Sequence, residues 1–84
     1  MDLAAIWRHV ANDNDTAADR LLGRFIRKFH LLADYPDIGQ RCEGLGAGMR
    51  RLSMGSYLIF YVRARGRVDI VRVMHGAQDW ESLL

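Results

Sequence analysis

The sequence predicts an α+β fold: an N-terminal antiparallel helical hairpin packed on a small antiparallel sheet of about three strands, closed by a short C-terminal segment. Three observations carry this. A long apolar stripe at helical spacing runs from Ala18 to Leu32, Pro36 and a glycine-rich stretch end it, and two β-branched and aromatic runs flank the turn sequence "ARGR" near the C-terminus.

In chain order, Leu3, Ile6, Trp7 and Val10 fall at i, i+3, i+4 and i+7, which is one face of a helix. "ANDND" (11–15) breaks that helix, because Asn and Asp compete for backbone hydrogen bonds and favour turns and caps. Asp15 or Thr16 is placed to cap the next helix. Its apolar stripe is Ala18, Leu21, Leu22, Phe25, Ile26, Phe29 and Leu32, with Arg20, Arg24, Arg27 and Lys28 mostly off it. Pro36 stops the helix at about Asp34, and the short link between the two helical patterns predicts that they run antiparallel.

Residues 37–48 hold four glycines and no apolar period, which reads as a loop. Strands follow over 49–53, 57–63 and 68–75, with turns at "MGS" (54–56) and "ARGR" (64–67). The last two strands are nearly continuous in hydrophobics, so both sheet faces need cover. The helices can cover one. The C-terminal "AQDWESLL", a bound partner, or both must cover the other.

Size and composition set the limits. A chain of 84 residues reads as one domain, and a domain this small buries only roughly 60% of the surface its unfolded chain exposes. Half the residues are hydrophobic and 26% charged, a globular balance. The longest apolar run, 57–62, is too short to span a bilayer, and Asp2 argues against a secretory leader, so the chain reads as cytoplasmic with no membrane partner. The single cysteine, Cys42, has no neighbour at metal-ligand spacing and reads as a loop thiol. No cofactor or metal is called for. Net charge is +2, yet residues 41–84 carry seven arginines against four acids, which invites an acidic partner.

Phosphate-loop, metalloprotease and nucleophile-elbow motifs are absent from the sequence. The candidate residues are polar ones in the sheet: Arg50, Arg51, Tyr57, Tyr61, Arg72 and His75. Strict alternation places Arg72 on one face with Ile70 and Met74, and His75 on the other with Val71 and Val73. Arg72 then either pairs with a carboxylate such as Asp69 or Glu81, or holds a phosphate or acidic chain. His75 is either a turn residue or a general acid, Tyr57 and Tyr61 are sheet packing with hydroxyls at its margin, and Trp80 is an interface candidate.

Read as "DLAAIWRHVANDN", "AADRLLGRFIRKFHLLADYPDIGQ", "LGAGMRRLSMGSYLIFYV" and "VDIVRVMHGAQD", the chain resembles the ParE toxins of the RelE/ParE superfamily from bacterial type II toxin–antitoxin modules. The most specific parts are Arg50 followed by Gly55, Tyr57, Ile59, Phe60 and Tyr61, and Ile70-Val71-Arg72-Val73 leading into His75-Gly76-Ala77 and Asp79. The resemblance implies a plasmid-stabilising toxin that inhibits DNA gyrase, traps cleaved DNA and is neutralised by a cognate antitoxin with an extended acidic segment. It implies target contact by Arg72, His75 and Trp80, and antitoxin contact by Arg50, Arg51, Tyr57 and Tyr61.

Relatives begin with a short strand before the first helix, whereas here that helix is already under way at Asp2. A sheet without that strand leaves a pairing edge open to homodimerisation. RelE-like relatives instead cut messenger RNA on the ribosome. In that alternative Arg50, Arg51 and Arg72 stabilise the phosphorane and His75 is the acid, but a base is hard to find beyond Glu43. A degenerate, inactive member is the third reading.

Overall fold

The computed structural model describes residues 7–8, 10–12 and 14–76, and they form one long helix followed by a four-stranded antiparallel sheet. Residues 7–8 and 10–11 are helical and close into the long helix through Asn14 N–H donating to the Val10 carbonyl at 2.9 Å. Trp7 donates its indole N–H to Asp19 at 3.1 Å. A side-chain contact across twelve residues requires the chain to fold back between them, since a continuous helix would hold those positions about 18 Å apart.

Helix α1 spans Asp15–Asp34. Its cap is Asn14, one residue before the expected Asp15: the Asn14 side chain accepts the Ala17 N–H at 3.0 Å from an extended backbone. At the other end the Tyr35 N–H donates to the Leu31 carbonyl, and Pro36 follows. Ala18, Phe25 and Leu32 are buried, with Leu21 and Phe29 packed beside them, while Ile26 on the flank of the stripe is 45% exposed.

The sheet runs in the order β1 (Gln40–Arg41), β2 (Met49–Met54), β3 (Tyr57–Ala64) and β4 (Arg67–His75). The expected three strands are there, and the fourth, β1, is a two-residue strand pairing Gln40 with Arg51 and Arg41 with Arg50. Two residues within a glycine-rich loop carry no periodicity, so β1 left no trace in the pattern. The β2–β3 turn is Gly55–Ser56, and Gly55 has φ 59°, a left-handed conformation that suits a tight hairpin with glycine leading.

One sheet face packs on α1 through Leu52, Met54, Tyr57, Ile59, Tyr61, Val68 and Val73. The second face carries Leu58 and Phe60, and both are buried, although no second helix lies over them among the described residues. Their cover includes the chain between β1 and β2, where Cys42 and Leu45, on a short 3-10 turn (Glu43–Leu45), pack against them beside Met49 and Met74. The "loop thiol" Cys42 is therefore core, 7% exposed. Expectations placed on residues 1–6 and 77–84, including the start of the first helix, Trp80 and the C-terminal cover, lie outside the described residues.

Candidate functional site

Arg72 and His75 lie on β4, the outermost strand, and both are exposed. Together with Val73 and Met74 they line a depression of about 130 Å³. Because His75 pairs with Tyr57 and Arg72 with Phe60, the two side chains reach that depression from opposite faces of the sheet.

The His75 imidazole stacks on the Tyr57 ring, centroids 4.5 Å apart and planes at 23°. Tyr57 in turn meets Phe25 edge-on at 5.2 Å, and Phe25 lies 6.1 Å from Phe29. A row of aromatic rings thus connects the exposed histidine to the buried face of α1, which fixes the orientation of the imidazole by packing.

Strict alternation along β4 is broken by a β-bulge before Arg72. Pairing steps from Phe60↔Arg72 directly to Tyr61↔Ile70, leaving Val71 as the extra residue. Ile70, opposite Tyr61, therefore belongs to the helix-side face, and Arg72 shares the second face with Leu58, Phe60 and Met74 but not with Ile70. An inserted residue exchanges the face of everything beyond it, and no residue type in "DIVRV" marks the insertion.

Arg50 and Arg51 diverge as neighbours on a strand must. Arg50, opposite Tyr61, points to the helix side, and its side chain is only 17% exposed. It donates from Nη1 to the carbonyl oxygens of Gly39 at 2.8 Å and Asp37 at 3.1 Å, with Nη2 3.6 Å from the Asp37 carboxylate. Tyr61 is fully buried rather than at the sheet margin: its hydroxyl accepts the Gly39 N–H at 2.8 Å and donates to the Pro36 carbonyl at 2.8 Å. Two residues expected at the antitoxin surface are thus the clamp that holds the 36–39 loop against the sheet, a role set by backbone carbonyls that sequence spacing does not display.

Arg51 lies on the second face opposite Phe60 and donates to Gln40 at 2.6 Å. Burial raises the Cys42 thiol above its ordinary pKa, and the Arg51 charge opposes that shift. Arg51 and Arg72 flank Phe60 from its two neighbouring strands.

A larger depression, about 460 Å³, separates the C-terminal end of α1 from the β3–β4 turn. Ala33 and Pro36 line one side, Arg63 and Arg67 the other. Arg63 is 3.3 Å from Asp37 and Arg67 2.9 Å from Asp69. This feature was missed because "ARGR" reads as a hairpin turn and nothing in it points across to the helix end. Among the described residues, no group of three His, Cys, Asp or Glu is placed to hold a metal, and no helix is long and apolar enough to cross a membrane.

Fold and surface define a class: small α+β domains in which one helix packs on an antiparallel sheet with an exposed, arginine-bearing edge. The family follows from comparison with known proteins. The family model described as the ParE toxin of the type II toxin–antitoxin system, parDE, matches residues 1–80, so the chain belongs to the ParE toxin family, within the RelE/ParE superfamily. It is 47% identical over 49 residues to the protein named Toxin ParE1 of Caulobacter vibrioides, covering 58% of this chain and 50% of that one. It is 44% identical over 45 residues to Toxin ParE1 of Mycobacterium tuberculosis, covering 52% of this chain and 46% of the relative. The chain spans about half the length of the curated relatives it matches.

Proposed function

We propose that this chain is the toxin of a type II module that inhibits DNA gyrase by binding, with Arg72 and His75 on the β4 edge as target contacts, and that a cognate antitoxin neutralises it. The observation that carries a binding mode over RNA cleavage is the position of Arg50. A nuclease of the RelE kind would need Arg50, Arg72 and His75 to converge on one phosphate, yet Arg50 and Arg72 sit on opposite sheet faces and the Arg50 guanidinium is bonded to the 36–39 loop. Arg72 and His75, by contrast, border one exposed depression. The gyrase target rests on the resemblance to ParE toxins. For the antitoxin, Arg51 and Tyr57 remain the better contacts of the four expected, since Arg50 and Tyr61 act on the surface only through the loop they hold.

The test is purified gyrase with supercoiled plasmid and this chain. Linear plasmid that appears only when both proteins are present supports the reading, and Arg72→Glu should abolish it with the fold intact. Unchanged gyrase activity across a wide concentration range would overturn it and favour an inactive member. Ribosome-dependent cleavage of messenger RNA that is lost in His75→Gln would overturn it in favour of a nuclease.

A further inference from the structure

We propose that β4 is a self-pairing edge, at which a second copy of this chain docks antiparallel about a two-fold axis between Ile70 and Val71. Because this pairing engages Arg72, it and target contact through Arg72 are alternative uses of one edge, and the mass of the free chain reports on the pairing alone. Four observations converge on it.

Among the described residues no strand lies beyond β4, whose nine residues form the outer edge of the sheet. The middle of that edge is apolar and open to solvent, with Ile70 37% and Val71 53% exposed. An open edge strand with exposed apolar residues at its middle is a template for strand pairing.

The charges are self-complementary. Asp69 pairs with Val62, next to Tyr61 on β3, so it lies on the Phe60 face, which is also the face of Arg72. Residues three apart on a regular strand would lie on opposite faces, and it is the bulge at Val71 that brings Asp69 and Arg72 to the same one. About an axis between Ile70 and Val71, Asp69 faces Arg72 of the second copy, and Arg72 faces its Asp69, giving two equivalent ion pairs. The exposed Arg72 makes no hydrogen bond or ion pair among the described residues, whereas Asp69, 45% exposed at its side chain, already accepts from Arg67.

The apolar positions agree with the same register. Val68 faces Val73 of the second copy, and both belong to the helix-side face, while Ile70 faces Val71. A slip by one residue would put Asp69 against Val71 or Val73 and leave Arg72 without an acid. The register that satisfies the charges therefore also matches the faces, and it would join the two four-stranded sheets into one of eight strands.

Sedimentation equilibrium tests it. The wild-type chain should show a mass near twice its 9.6 kDa at high concentration, falling towards one chain on dilution. Asp69→Arg and Arg72→Asp should each give the single-chain mass, and the double reversal should restore the doubled one. A wild-type chain that stays at 9.6 kDa at every concentration overturns the proposal, as does a doubled mass that survives both single reversals. Should a reversal unfold the chain, hydrogen exchange of wild type decides: amide protection at Ile70 and Val71 that rises with protein concentration supports the pairing, and protection independent of concentration overturns it.

Discussion

Tyr61→Phe removes a single oxygen from the centre of the molecule and leaves the ring packing in place. That oxygen accepts the N–H of Gly39, a buried residue, and donates to the Pro36 carbonyl. Each hydrogen bond contributes about 1 kcal/mol net, and a buried N–H left without an acceptor costs roughly 1–3 kcal/mol. The Pro36 carbonyl is partly solvated and recovers a water bond, so the expected loss is about 2–3 kcal/mol, set mainly by Gly39. For a domain of this size that corresponds to a fall in Tm on the order of 10–20 °C. Thermal and urea unfolding measure it directly, with an unchanged urea slope showing that only stability has moved.

A drop below about 0.5 kcal/mol, the range of ordinary surface substitutions, would refute the reasoning and mean that water reaches the Gly39 N–H. A second variant sharpens the test. Arg50→Met removes the other half of the clamp, which holds the Gly39 and Asp37 carbonyls. Because both side chains fix the same loop, the double variant should depart from additivity by about 0.5 kcal/mol or more. Strict additivity would mean that the two restraints act on separate pieces of chain.

Gly39→Ala should destabilise by about 1–3 kcal/mol in the same unfolding assay, since a Cβ there would collide with the Tyr61 hydroxyl and lie 2.7 Å from the Arg51 carbonyl oxygen. Asn14→Ala should cost about 1 kcal/mol by removing the acceptor of the Ala17 N–H, read as a lower midpoint and weaker amide protection in the first turn of α1. Burial raises the Cys42 pKa, so its contribution to stability is fully present below the pKa of the unfolded thiol and is lost as pH rises through the folded value. Cys42→Ala should flatten that part of the alkaline decline, and a thiol reagent at neutral pH should label folded Cys42 far more slowly than the unfolded chain.

Helix α1 was legible because its signals are local: the stripe from Ala18 to Leu32 and the stop at Pro36 both act within the helix. The three longer strands were legible for the same reason, each to within a residue at its ends, whereas the two-residue β1 was not. Three other features depend on atoms distant in sequence. Arg50 and Tyr61 look alike from sequence whether they face a partner or their own loop, and only the proximity of Gly39 and Asp37 decides between them. Cys42 and Leu45 show no period, yet the return of the chain lays them over Leu58 and Phe60. The face of Arg72 depends on one inserted residue, which steric fit between β3 and β4 determines.

That inserted residue also divides the strand into two independent reading frames. Upstream of Val71, Arg67 to Ile70 alternate in phase with the hairpin turn; downstream, Arg72 to His75 alternate in the opposite phase, locked to Tyr57 and Phe60. Changes in the hairpin, even ones that alter its twist, can be absorbed at Val71 without turning Arg72 or His75 away from the surface. Deleting Val71 would make Ile70 and Arg72 consecutive, so that Tyr61–Ile70 and Phe60–Arg72 merge into one regular ladder: both halves would keep their faces, but the strand would lose the joint at which a shift in the hairpin is absorbed.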